Sequence, residues 1–156
     1  MRVEKDFEEF IELLAANEVK YVIVGAFAVA FHSMARNTGD IDFFIDPEPK
    51  NAKALLRVLD DFGFESLEIT ETDLVKPDVI LQLGFEPNRI DIMTSISGVA
   101  FSQAFRNKIA GKFGKHLAYF ISRNDLIKNK IAAGRLKDRA DVEQLRKVGN
   151  KKLRAA

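Results

Sequence analysis

The chain has 156 residues, 47% hydrophobic and 30% charged, with no cysteine, which suits a single globular domain and excludes disulfides and thiolate metal sites. Its first ten residues are charged throughout and no apolar run approaches the roughly 20 residues a bilayer span needs, so the sequence predicts neither a secreted precursor nor a membrane protein, with the cytoplasm as the default compartment. The net charge of +1 conceals a polarity: residues 1–105 carry 9 Lys+Arg against 19 Asp+Glu, residues 106–156 carry 15 against 4. A basic third of that kind can steer polyanions such as nucleotides or RNA, or can simply coat solvated helices and attract the acidic part of the chain.

Phe7, Phe10, Ile11 and Leu14 recur at helical spacing and predict an amphipathic helix over residues 6–17. Residues 21–24 read as a buried strand that Gly25 interrupts, and residues 26–34 as a helix whose free N–H groups at its start can hold phosphate. Asn37-Thr38-Gly39 turns the chain into a strand over residues 40–45, stopped by Pro47 and Pro49. Ala52, Leu55, Leu56 and Leu59 mark a helix over residues 51–62 with Gly63 as its stop.

Strands over residues 79–85 and 89–93, joined by Glu86-Pro87-Asn88, make a hairpin in which Arg89, Asp91 and Met93 share one face. A short helix over residues 98–107 and a hairpin turning at Gly114-Lys115 follow. Ser122 with Asp125 resembles a capping box opening a helix to Ala133, and Gly134 ends it. A last helix covers residues 137–147, and the basic tail, residues 148–156, is expected to fray. With no repeat or linker in view, one domain spanning residues 1–156 is expected.

The chemistry gathers around residues 21–46. Asp40 and Asp42 stand two apart in an apolar strand, so both carboxylates leave one face, where they repel each other unless a cation neutralises them. Asp91, on a later apolar strand, is a third acid that can join them, although an ion pair with Arg89 competes for it. Converging carboxylates suit Mg²⁺, which prefers hard oxygen ligands and leaves positions for substrate phosphates. His32 and His116 lack neighbours at ligand spacing and read as structural, and most of the 13 Phe read as core.

Strand, Gly25-Ala26, helix, then Arg36-Asn-Thr38-Gly-Asp40-Ile-Asp42, a third Asp on a following strand, and a late stretch with Lys130, Arg135 and Lys137-Asp138 together resemble the nucleotidyltransferase superfamily. Within it the chain looks most like small bacterial proteins related to abortive-infection and toxin–antitoxin nucleotidyltransferases. The resemblance implies an α/β (α+β) fold of the DNA polymerase β type, a mixed sheet backed by helices with further helices at the C-terminus. It implies that Asp40 and Asp42 are metal ligands for Mg²⁺ or Mn²⁺ and that Asp91 is a third ligand or the general base. It further implies that Gly25, Ala26, Arg36, Thr38, Lys130 and Arg135 contact the nucleotide.

The implied reaction moves an NMP from an NTP to a hydroxyl on tRNA or other RNA, on a protein, or on a small molecule, with a small protein partner possible and no membrane involved. The family's turn usually reads Gly-Gly or Gly-Ser; Gly25-Ala26 keeps the backbone N–H groups and lacks a hydroxyl. The rival reading, a catalytically silent binding module of a toxin–antitoxin or phage-defence system, draws on that departure. A metal-dependent phosphodiesterase or nuclease would use the same acids with water as nucleophile.

Overall fold

The computed structural model describes residues 4–33, 39–64, 68–85 and 87–155, with side chains described through residue 148. The chain opens with α1 (Lys5–Ala16), whose Phe7, Phe10, Ile11 and Leu14 are all buried, as their spacing predicts. Strand β1 (Tyr21–Val24) follows, buried along its whole length, and passes directly into α2 (Gly25–His32). Then come β2 (Ile41–Ile45) and α3 (Pro49–Phe62), the latter begun by a proline in its first turn and ended by Gly63 at φ +99°. Both devices suit their residues, since proline needs no N–H partner at a helix start and glycine tolerates the left-handed conformation.

A short helix that the sequence reading lacks, α4 (Glu71–Val75), is held at its start by a reciprocal capping box between Thr70 and Asp73. The hairpin of β3 (Ile80–Leu83) and β4 (Ile90–Met93) is present, each strand a residue or more shorter than predicted; Glu86 of its turn lies outside the described residues. After α5 (Phe101–Arg106) the hairpin of β5 (Ile109–Phe113) and β6 (His116–Phe120) turns at Gly114-Lys115. Helix α6 (Arg123–Ala133) ends at Gly134, and α7 runs Leu136–Ala155, longer than the apolar period marks.

The expected capping box at α6 is only half formed. Ser122 Oγ accepts from the Asp125 N–H at 3.2 Å, but the buried Asp125 carboxylate accepts instead from Gln103 Nε2 at 2.7 Å and Asn107 Nδ2 at 3.1 Å. Two amide donors tie α5 to α6 through one acid, and a buried carboxylate needs those partners more than the helix start does.

The six strands form one mixed sheet in the order β3-β4-β2-β1-β6-β5. β1 pairs antiparallel with β2 and parallel with β6, and β2 pairs parallel with β4. Ile41, Phe43 and Ile45 of β2 and Ile90 and Ile92 of β4 face α1 and α3 in the larger core cluster. Val22, Val24 and Phe44 face the other way, against α2, Phe101 of α5, Leu126 of α6 and Leu145 of α7. The sheet is thus covered on both faces, and the even-numbered residues of β2 point toward the later helices. Seven phenylalanines are fully buried; Phe85, 90% exposed beyond β3, is the exception to the core reading.

Candidate active site

Asp42 is the second residue of β2 and shares its face with Phe44, so strand alternation aims it between the sheet and α2. In the parallel ladder its register partner is Asp91, and in the antiparallel ladder it is Val24, the last residue of β1. The two acids therefore stand side by side where β1 turns into α2. Gly25 makes the turn at φ +68°, and a Cβ there would overlap the Asp42 carboxylate, lying 3.0 Å from its Cγ. Glycine at position 25 is needed twice, for the backbone angle and for the space the carboxylate fills.

Asp40 lies just before β2 rather than inside it. Its Oδ1 accepts from the Arg89 backbone N–H at 3.1 Å, next to the ladder bond in which the Ile41 N–H donates to the Arg89 carbonyl at 3.0 Å. The Arg89 guanidinium then bridges two acids: Nε donates to Asp91 Oδ1 at 2.7 Å, Nη2 to Asp91 Oδ2 at 3.0 Å, and Nη2 lies 3.2 Å from Asp40 Oδ2. Asp91 thus stands beside Asp42 in the ladder, shares Arg89 with Asp40, and makes the competing ion pair. The sequence marks Arg89 as a same-face competitor for Asp91, and its contacts with Asp40 are added by the fold.

Among the described residues Asp42 has no such arginine partner. Burial first, then the charge of Asp91 and a hydrogen bond to it, then Asp40, push its carboxyl from 3.8 up to about 7, against a small opposing pull from Lys130. As the side chains stand, the described residues hold no group of three or more acids and histidines gathered for a metal ion. Arg89 occupies oxygens of two of the three acids. The donor chemistry, hard carboxylate oxygens on one wall of the cleft, fits a divalent cation.

The far wall is built by α6 and α7. Lys130, only 7% exposed, lies 3.2 Å from Asp138 Oδ1 and 3.1 Å from Asp141 Oδ2. Asp138 is fully buried and also accepts from Arg135 Nε at 2.7 Å and from the Arg135 backbone N–H at 3.2 Å. Burial would raise the Asp138 carboxyl, but the hydrogen bonds from Arg135 and Lys130 outweigh it and hold it down at about 2. These two acids, near the start of α7 where the helix dipole favours acids anyway, hold Lys130 and, through Asp138, Arg135. The cleft between the walls, about 790 Å³, is lined by Gly25, Ala26, Asp40, Asp42, Asp91, Lys130 and Arg135 among others. Arg36 and Thr38, also predicted at the nucleotide, lie outside the described residues. His32 is structural as read: its Nε2 sits 2.6 Å from the Ile121 carbonyl oxygen and ties α2 to the end of β6.

A mixed sheet with paired acids beside a strand-glycine-helix turn and two basic helices opposite is the frame of a nucleotidyltransferase. Residues 2–150 match the family described as "Nucleotidyltransferase of unknown function (DUF6036)", and the chain belongs to that family. Among solved structures, lincosamide antibiotic adenylyltransferase LnuA with lincomycin bound is similar, at 16% identity and a TM-score of 0.60, over 95% of this chain and 99% of that one. At that identity the likeness shows the fold. No curated protein matches the chain.

Proposed function

We propose that this protein is a divalent-metal-dependent nucleotidyltransferase that moves an NMP from an NTP to a hydroxyl acceptor and releases pyrophosphate. The observation that carries the reading is the register of Asp42 beside Asp91 at the mouth of the Gly25 turn. Asp40, Asp42 and Asp91 would hold Mg²⁺ or Mn²⁺, which when bound supplies charge neutralisation at the phosphates and polarises the reacting oxygens. The acceptor oxygen attacks the α-phosphorus, the bond to the bridging oxygen of the β-phosphate breaks, and a carboxylate of the site takes the hydroxyl proton.

The chain's own cations position the triphosphate. Lys130 has three N–H donors and spends two on Asp138 and Asp141, which fixes the ammonium and leaves one donor for a phosphate oxygen. Arg135, held through Asp138, and the backbone N–H groups of Gly25 and Ala26 complete an anion cradle. A second cleft of about 520 Å³ between α6 and α7 adjoins the first at Lys130 and sets Arg139, Arg146 and the Lys147–Glu143 pair around Ile131 and Val142. Apolar side chains beside two arginines suit an acceptor with anionic and apolar parts.

The test is transfer itself. Purified protein is incubated with each α-labelled NTP, Mg²⁺ or Mn²⁺, and total RNA, protein extract or small-molecule hydroxyl acceptors. Label on one acceptor class, lost in Asp42→Asn, is expected. RNA shortening without label, or no pyrophosphate with any NTP and acceptor, would overturn the reading.

A further inference from the structure

Asp40, Asp42 and Asp91 line one cleft, and the guanidinium of Arg89 reaches both Asp40 and Asp91. Its grip on Asp91 is bidentate, at 2.7 and 3.0 Å, and the same Nη2 reaches Asp40 at 3.2 Å. A two-pronged guanidinium–carboxylate pair is among the strongest polar contacts a protein makes. Here it neutralises one charge of three. Of the other two acids, Asp42 stands beside Asp91 in the ladder, on the same wall of the cleft.

The Arg89 side chain is 21% exposed and lines the wide cleft, so it can leave its partners without disturbing the core. Its backbone is fixed independently by the ladder bond to Ile41. The oxygens it holds, Asp40 Oδ2 and both of Asp91, belong to two of the three acids that would hold the metal ion.

We propose that Arg89 is a displaceable stand-in for the metal: it keeps Asp40 and Asp91 together in the metal-free protein and yields their oxygens when a divalent ion enters. The proposal rests on the metal-dependent reading above. Ion and guanidinium exclude each other at the same oxygens, so metal affinity is lowered by the fraction of molecules in which Arg89 is bound there. The released side chain remains in the cleft that Lys130 and Arg135 line, where an entering phosphate is its next partner. Metal and nucleotide then favour each other's binding through one arginine.

The test titrates Mn²⁺ alone, by its electron paramagnetic resonance signal, into wild type, Arg89→Gln, Arg89→Lys and Asp42→Asn, and follows urea unfolding of each in EDTA. Removing the competing cation is expected to tighten Mn²⁺ binding about 10-fold in Arg89→Gln. The same variant is less stable than wild type in EDTA, because the acids lose their cation, and recovers with Mn²⁺. Arg89→Lys keeps the charge without the fork and falls between the two, which keeps the test alive should Arg89→Gln not fold. Mn²⁺ binding in Arg89→Gln or Arg89→Lys that is equal to or weaker than wild type would overturn the proposal, since a fixed arginine that merely shapes the acids gives that result. Wild-type binding lost in Asp42→Asn leaves the metal reading standing in that case, whereas no Mn²⁺ uptake by any of the proteins sinks both.

Discussion

Replacing Asp42 by asparagine makes the metal-free protein more stable at pH 8 while abolishing transfer. In the folded chain Asp42 keeps its proton until about pH 7, against an ordinary value of 3.8, because burial and the neighbouring Asp91 penalise the charge. The sign follows from linkage: between about pH 4 and 7 the unfolded chain has released this proton and the folded chain has not, so the stability present below pH 4 drains away as pH rises through 7. A difference of roughly three pH units at 1.36 kcal/mol each sets the loss at about 4 kcal/mol as an upper figure, and relaxation of the site brings the expected gain in Asp42→Asn to about 2–4 kcal/mol. Asparagine keeps the shape and cannot ionise. Urea unfolding of both proteins in EDTA at pH 4.5, 6 and 8 reads the effect: the curves converge at the acid end and separate in favour of the variant at the alkaline end. Parallel pH profiles would refute the account, since they would mean that Asp42 ionises as easily in the fold as outside it.

Other substitutions probe the remaining walls of the site. Gly25→Ala costs about 1–2 kcal/mol from the left-handed backbone alone, more once its methyl displaces the Asp42 carboxylate, and label transfer falls with it; thermal unfolding and a single-turnover assay read the two effects. Lys130→Met leaves Asp138 and Asp141 buried without their ammonium and is expected to cost about 3–5 kcal/mol by chemical denaturation. Asp138→Asn removes a carboxyl whose proton affinity is lowered by its hydrogen bonds, so the wild type's advantage is full above pH 4 and fades as pH falls toward 2, measured by acid unfolding of the pair. Arg139→Glu with Arg146→Glu raises the acceptor's KM and leaves NTP binding unchanged, which steady-state kinetics with varied acceptor checks.

Most of the frame was legible because its signals are short-ranged. β1 and β2 are apolar runs bounded by Gly25, Gly39 and Pro47, and α1 and α3 repeat their apolar residues at helical spacing, so local pattern and tertiary burial agree. Gly63 and Gly134 stop helices because their backbones take the left-handed angle where a helix must end. What was not legible depends on partners far away in the chain. Asp40 was read as strand and serves just outside it, because the Arg89 N–H claims its side chain from 49 residues away. Asp125 spells half a capping box, but its burial beneath α5 gives its carboxylate to Gln103 and Asn107. Helix α4 is too short to show a period, and only the spacing of Thr70 and Asp73 betrays it. The paired roles of Asp138 and Asp141 become visible only once Gly134 folds α7 back against α6 and brings them to Lys130.

The parallel ladder between β2 and β4 decides where this chain tolerates added length. Side chains alternate along each strand, so an extra residue inside β4 before Asp91 would carry that acid through the sheet to the side of α1 and α3. A residue added between α3 and β3 leaves the alignment of Asp42 with Asp91 untouched. Insertions are therefore expected to be accepted in the outer connections and rejected in four-residue β4, which makes the surface around α4 the place to graft a tag or reporter without silencing the site.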